Sequence, residues 1–264
     1  MTLAAPSWHF VDSGARSGAY NMAYDMGLAL RMGDDPAMPS VLRLYQWHPW
    51  AVSIGHHQAM GDVHTPRCSE AGIDVVRRPT GGRAILHAEE LTYCVVMPAG
   101  RRSVLEVYNQ ISNALVRGLG FFGVQAVLQK SQPDFRAEYR RVASIPCFAS
   151  SARYEIEWHG RKLVGSAQRR VSGGRRDVVL QHGSILCGPA HRRLPQFLAL
   201  EDPEAIAGMT AVLGRHTVDL ADILGREADV PALAGCLRRG FEEEWGVTLS
   251  PTAESVYEPL PAYA

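Results

Sequence analysis

Cys147 and Lys162 lie 15 residues apart in SIPCFASSARYEIEWHGRKLVGSAQRR, residues 144–170, and together they offer a nucleophile and a cation to activate it. A thiol becomes nucleophilic when a nearby positive charge lowers its pKa. A lysine ammonium is a compact charge that gives up its proton when desolvated, and guanidinium is not. The choice of lysine is informative here. Of 27 basic residues only Lys130 and Lys162 are lysines, and all others are arginines. A coding bias toward arginine could leave two lysines by chance, and a lone cysteine in IPCFASS is often just a small buried hydrophobe. For the pair to act, the chain must reverse between them.

A second candidate segment is RRPTGGRAILH, residues 77–87. Gly81-Gly82 permits backbone geometry that side chains forbid and lets a ligand lie on the main chain. Arg78 and Arg83 are placed to contact an anion, and His87 to line a wall. An ordinary hairpin turn explains the same glycines. The segment matches neither the GxxxxGK[ST] phosphate loop nor the GxGxxG dinucleotide turn. His56, His57 and His64 lack a carboxylate or cysteine at ligand spacing, so no metal site is expected.

The elements around these residues follow from periodicity. Residues 17–32 repeat apolar side chains at helical spacing, with Tyr20, Tyr24 and Leu28 on one face. VLRLYQW (41–47) alternates as a strand, with AVSIG (51–55) its expected partner. TPRCSEAG (65–72) reads as a short helix with Thr65 as N-cap and Pro66 in the first turn, leading to the strand IDVVRR (73–78). RAILH (83–87) and LTYCVVM (91–97) are β-rich. Ser103 and Glu106 open the helix 103–120 at capping-box spacing. RYEIEWHGRKLVGSAQRRV reads as a hairpin turning at His159-Gly160, with Tyr154, Ile156 and Trp158 on one face. VSGGRRD (171–177) is a turn before the strand 178–187, and the chain is helical from about 217, most clearly over 229–246. Strands and helices mixed without strict alternation predict an α/β (α+β) fold with a mixed β-sheet and flanking helices.

Composition sets the boundaries. The chain has 264 residues, 46% hydrophobic, with zero formal charge, so no global field draws nucleic acid or a membrane. Arginine pairs at 77–78, 101–102, 140–141, 169–170, 175–176, 192–193 and 238–239 are solvated surface unless several share a face. A shared face would favour an acidic partner or a phosphate. Five cysteines never closer than 26 residues argue against both a disulfide framework and a cysteine-rich metal site. MTLAAPSWHF lacks the pattern of a secretory signal, and no apolar run spans a bilayer, so a cytoplasmic location is expected.

RRPTGGRAILH, CFASSARYEI, GRKLVGSAQRR and LQHGSIL, in this order and with these gaps, resemble the lipoate/biotin protein ligase superfamily, and within it the octanoyltransferases of the LipM type. The resemblance spans about residues 17–250 and implies one catalytic domain over 1–264, with a core resembling class II synthetases. It implies transfer of octanoyl from octanoyl-acyl carrier protein to a lysine of an apo lipoyl domain, such as glycine-cleavage H protein or 2-oxoacid dehydrogenase E2. The route is a thioester on Cys147, and no cofactor is needed. Lys162 would lower the cysteine pKa and contact the acyl carbonyl. Arg77, Arg78, Thr80, Gly81, Gly82, Arg83, His87, Gly165, Ser166, Ala167, His182 and Gly183 would bind the acyl chain. The family usually follows the loop histidine with Asp, where this chain has Ala88. Two other readings stand beside this one. An ATP-dependent lipoate–protein ligase would show a third loop glycine where Arg83 stands, and an accessory domain for which the tail after 250 leaves no room. A non-catalytic module binding lipoyl domains or carriers would have no need of Cys147 and Lys162.

Overall fold

The structure, a computed structural model, describes residues 8–129, 155–257 and 259. Strand β1 (Trp8–Arg16) leads into α1 (Gly18–Asp34), which returns the chain to β2 (Ser40–Trp47), parallel to β1. Then come β3 (Ala51–Ile54), α2 (Thr65–Glu70), β4 (Asp74–Arg77), β5 (Ile85–His87), β6 (Glu90–Pro98) and α3 (Val104–Phe121). β7 (Val127–Gln129), β8 (Glu155–Trp158), β9 (Arg161–Val171) and β10 (Val178–Leu186) follow, then α4 (Pro203–His216), α5 (Leu220–Leu224), α6 (Val230–Trp245) and β11 (Leu249–Pro251). Eight strands form a mixed sheet in the order β11-β1-β2-β6-β10-β9-β8-β7, and β4-β3-β5 form a smaller one. The predicted mixed-sheet α/β architecture is present.

Local chemistry explains the elements that hold the site. The predicted capping box at Ser103 and Glu106 closes at both ends, so α3 starts where its first N–H groups need acceptors. α1 is capped by the Ser17 side chain, and α6 opens on Asp229 and stops at Gly246 in the left-handed region. The hairpin of β8 and β9 turns through His159 at φ 48° and Gly160 at φ 73°, the two positive values of a tight hairpin turn. Ile156 and Trp158 both pack on the core between the large sheet and helices α3 and α6. Tyr154, expected on the same face, lies outside the described residues.

Two expectations need correction. β3 does not pair with β2, because β1 and β6 already occupy both edges of β2. β3 starts the small sheet instead, between β4 and β5. The N-cap of α2 is His64, whose ring nitrogen accepts the Arg67 N–H, so Thr65 and Pro66 are the first helical residues. β1, β7, β11 and α4 had no expected counterpart.

The opposite face of the large sheet is covered by α1, and the small sheet packs with α2, residues 189–197 and α4. α3 and α6 meet through glycines. A Cβ at Gly240 would lie 2.5 Å from Gly118 N and 2.6 Å from Ala114 O. Gly240→Val should therefore lower stability in urea unfolding by about 1–3 kcal/mol, the usual cost of overpacking. Gly235→Ala, on the same helix with open space around it, should raise stability by up to about 1 kcal/mol. Equal effects would mean that the close approach of the two helices does not matter.

Candidate active site

A cleft opens where the large sheet, α1 and the small sheet converge, about 430 Å³ when its solvent-open part is included. Its lining is mostly apolar carbon. Gly165, Ser166 and Ala167 of β9 and His182, Gly183 and Ser184 of β10 form one wall, with Lys162 on the same side. Gly183 has no room for a side chain, because a Cβ would collide with the Gly165 carbonyl and the Tyr93 ring. Arg78, Ile85 and His87 form the wall from the small sheet, and Met22, Tyr45, Trp47 and Thr92 complete it.

The polar groups of the wall belong to two buried networks. In the first, Arg43 is fully buried and its Nη1 meets Asp25 Oδ1 at 2.8 Å. Asp25 Oδ2 accepts from Tyr45 O–H at 2.8 Å and from His182 Nδ1 at 3.1 Å, and His182 Nε2 lies 2.7 Å from Thr80 Oγ1. Burial pushes the Asp25 carboxyl up, but the Arg43 charge and the His182 contact outweigh it and hold the acid below its usual range. Burial lowers the affinity of His182 for its second proton, with help from the charges of Arg78 and His87, against the pull of Asp25. His182 is therefore a neutral hydrogen-bonding partner at neutral pH.

The second network centres on Glu90. Its Oε1 accepts from Thr92 and Ser184 hydroxyls at 2.7 Å each and meets His87 Nδ1 at 2.8 Å. Burial works against ionising Glu90, but the His87 charge and these hydrogen bonds pull its pKa below the usual value. His87 Nε2 lies 2.7 Å from Ser53 Oγ, which accepts from Arg78 Nη1 at 3.0 Å. Trp47 stacks on the His87 ring, 3.9 Å between centroids and 11° from parallel. The carboxylate that holds the loop histidine thus comes from position 90, while Ala88, where the family usually has Asp, is buried.

Lys162 is 5% exposed, and its ammonium donates to Glu155 Oε1 at 2.6 Å across the β8–β9 hairpin. The nearby Glu157 carboxyl is raised first by burial and then by Glu155, with Lys162 opposing. Cys147 lies outside the described residues. Burial pushes up the thiols of Cys68, Cys94 and Cys187, the last to about 12, so none of these three forms a thiolate readily.

Eight of the residues expected at the site line this one cavity: Arg78, His87, Lys162, Gly165, Ser166, Ala167, His182 and Gly183. Thr80 joins them through His182. Arg77, Gly81, Gly82 and Arg83 are exposed on the outer side of the loop. The diglycine has a structural cause. Gly82 has φ 99°, and its carbonyl packs where a Cβ at Gly55 would be. Arg78 then grips the loop, with Nε and Nη2 on the Gly81 carbonyl and Nη2 on that of Arg83. His56 and His57 sit ring to ring on the surface, and among the described residues no three of His, Cys, Asp or Glu converge to hold a metal.

Sequence reasoning missed Asp25, Arg43, Glu90 and Glu155, which set the electrostatics. One signal was available. Arg43 interrupts VLRLYQW at a position in phase with Val41 and Tyr45, and Asp25 interrupts the apolar run of α1. A cation and an acid on two buried faces imply each other.

Acidification tests the first network. An unfolded histidine takes its proton near 6.5, and His182 resists it when folded, so stability present above 6.5 falls as pH drops toward the folded value. Asp25 adds a second loss below its unfolded value of 3.8. In urea unfolding across pH, His182→Gln should flatten the decline that begins at 6.5, since an amide can keep both hydrogen bonds. Asp25→Asn should cost about 3–5 kcal/mol at pH 7, because it leaves Arg43 buried without a counter-charge. A His182→Gln curve parallel to the parent would remove His182 as the titrating group.

The chain is similar to several known proteins. A family model described as the lipoyl protein ligase A/B catalytic domain matches residues 17–242. The proteins named octanoyltransferase LipM from Symbiobacterium thermophilum and Kyrpidia tusciae are each 37% identical, over 251 and 250 residues, covering 93% of this chain and 89% of each relative. Among solved structures, a lipoate-protein ligase A bound with ATP superposes with a TM-score of 0.72 at 19% identity, covering 96% of this chain and 92% of that one. A bipartite lipoate protein ligase from Thermoplasma acidophilum gives 0.74 at 19% identity, covering 96% and 91%. At this identity the structures establish the fold.

Proposed function

Since the chain belongs to the lipoyl protein ligase A/B catalytic-domain family, we propose that it is an acyltransferase of lipoate biosynthesis, a single catalytic domain that moves octanoyl from octanoyl-acyl carrier protein to a lysine of a lipoyl domain. The observation that carries this reading is the 37% identity, over nine-tenths of the chain, to proteins named octanoyltransferase. The cavity supports it, being mostly apolar with one buried ammonium on its wall. An eight-carbon chain suits such walls, and its polar thioester end suits Lys162.

The reaction proceeds in two transfers. The Cys147 thiolate attacks the carrier thioester, a carbon–sulfur bond forms to Cys147, and the carrier leaves as a thiol after taking a proton. The neutral amine of the lipoyl-domain lysine then attacks the Cys147 thioester. An amide bond forms, the Cys147–acyl bond breaks, and the proton lost by the amine returns to the site. The first transfer exchanges one thioester for another and the second gives an amide, so no nucleotide is required. Lys162 favours the thiolate and stabilises the charge that develops on the acyl oxygen. Its pairing with Glu155 makes an ammonium tolerable at 5% exposure.

Purified protein should octanoylate an apo lipoyl domain, such as H protein or a dehydrogenase E2 domain, from octanoyl carrier protein without ATP or magnesium. Intact mass spectrometry should show one octanoyl adduct on the enzyme, absent from Cys147→Ala. Lys162→Arg should lose about 10²-fold or more in kcat, because a planar guanidinium cannot take the place of the ammonium. Its thiol alkylation curve should also move to higher pH. Strict ATP dependence with free lipoate and release of AMP would make the chain a ligase instead.

A further inference from the structure

The arginines divide by partner. Arg43, Arg117, Arg192, Arg238 and Arg239 each face a carboxylate. Arg77 and Arg169 bond to backbone carbonyls. Arg77 Nη1 reaches Gly55, His56 and Gln58 at 3.0, 3.0 and 2.7 Å, and Arg169 Nη1 reaches Pro79 at 3.0 Å. A carbonyl orients a guanidinium but leaves its charge uncancelled.

These two side chains occupy one surface. The His56 N–H donates to Thr80 O at 2.8 Å, which joins the loop that Arg77 grips to the loop that Arg169 grips. Exposed Arg83 lies on the second loop and exposed His56 and His57 on the first. His56 is held below its ordinary pKa by desolvation and then by the charges of Arg169, His57 and Arg77, consistent with this grouping. Asp62 lies on the first loop and accepts from the Gln58 amide. On its inner side the second loop faces the cavity through Thr80 and His182. A basic rim therefore stands one loop away from the acyl site.

We propose that this rim, built from Arg77, Arg83 and Arg169 beside His56 and His57, docks the acidic face of the acyl carrier protein that delivers the octanoyl chain. The proposal rests on the transferase reading above and adds where the donor sits. Charge selects the donor over the acceptor. The acceptor presents a lysine at its reactive tip, and uncancelled guanidiniums repel that ammonium on approach, whereas they attract a carrier that presents carboxylates.

The test compares Arg169 variants at saturating lipoyl domain with three donors: octanoyl carrier protein, octanoyl-pantetheine and octanoyl-phosphopantetheine. Arg169→Glu should lower kcat/KM for the carrier about tenfold or more at low ionic strength, through KM. Added salt should shrink that deficit. Both small donors, and the KM for the lipoyl domain, should be unchanged. Arg169→Gln, which keeps a donor for the Pro79 carbonyl, should show a smaller loss, and Arg169→Lys should restore the parent value. An equal loss with octanoyl-pantetheine would overturn the proposal by making the effect one on the cavity. A loss shared by octanoyl-phosphopantetheine would point to a phosphate site, and a raised KM for the lipoyl domain to an acceptor surface; either overturns it. If the parent uses no octanoyl thioester, the transferase reading falls and takes the rim with it. Full parent activity with Arg169→Glu indistinguishable on the carrier would overturn the rim alone.

Discussion

The shape of the cavity depends on a buried cation. Arg43 has no solvent contact, and its guanidinium lies between the rings of Tyr24 and Tyr45, 4.3 and 4.0 Å from their centroids. Its nitrogens bond Ser13 Oγ, Asn21 Oδ1 and Asp25 Oδ1, each at 2.8 Å. A charge in such a place is tolerable only when its donors are met and a counter-charge is adjacent. Meeting those donors draws β1, α1 and β2 to one point. Asp25 extends the network to β10 through His182, and His182 extends it to the diglycine loop through Thr80. Elements distant in sequence are thereby held at fixed separations around the cavity.

The Glu90 network does the same from the other side. Thr92, Ser184 and His87 converge on one carboxylate oxygen, and Ser53 links His87 to Arg78. Because Arg78 also holds the carbonyls of Gly81 and Arg83, the loop is tied to both networks. The cavity lies between them, with an apolar lining left over for a ligand and the hydrogen bonds of the Glu90 carboxylate gathered on Oε1, while its buried Oε2 has no partner among the described residues. Paired polar groups in a water-poor site are rigid, because breaking any one of them exposes a buried donor or acceptor.

Lys162 looks different in this setting from an isolated cation next to a thiol. Its ammonium donates to Glu155 across the hairpin, so part of its charge is balanced within the fold. A guanidinium would carry a larger planar fork into the same hairpin, with more donors to satisfy. The preference for lysine at this position, in a chain rich in arginine, agrees with a need for one compact donor.

The sequence determined by itself much of what depends on near neighbours, although the N-cap of α2 fell on His64 rather than Thr65. α3 was legible because its capping box is a four-residue device, the β8–β9 hairpin because His159-Gly160 accepts positive φ, and the four motif segments because their order and gaps are a linear property. Eight of the residues these motifs singled out do share one cavity. Only the tertiary structure decided who partners whom. Strand β3 left β2 because both edges of β2 were taken by strands from elsewhere in the chain. Arg77 and Arg83 face outward while Arg78 faces inward, since successive side chains at a strand end take opposite sides and the loop folds back on Gly55. Arg43 and Asp25 are 18 residues apart, Glu90 and Ser184 are 94 apart, and Asp25 and His182 are 157 apart. No periodicity links such positions. Each pair forms because a charge or hydrogen-bonding group removed from water must find a partner in the space around it, and that space exists only once the sheets and helices have packed.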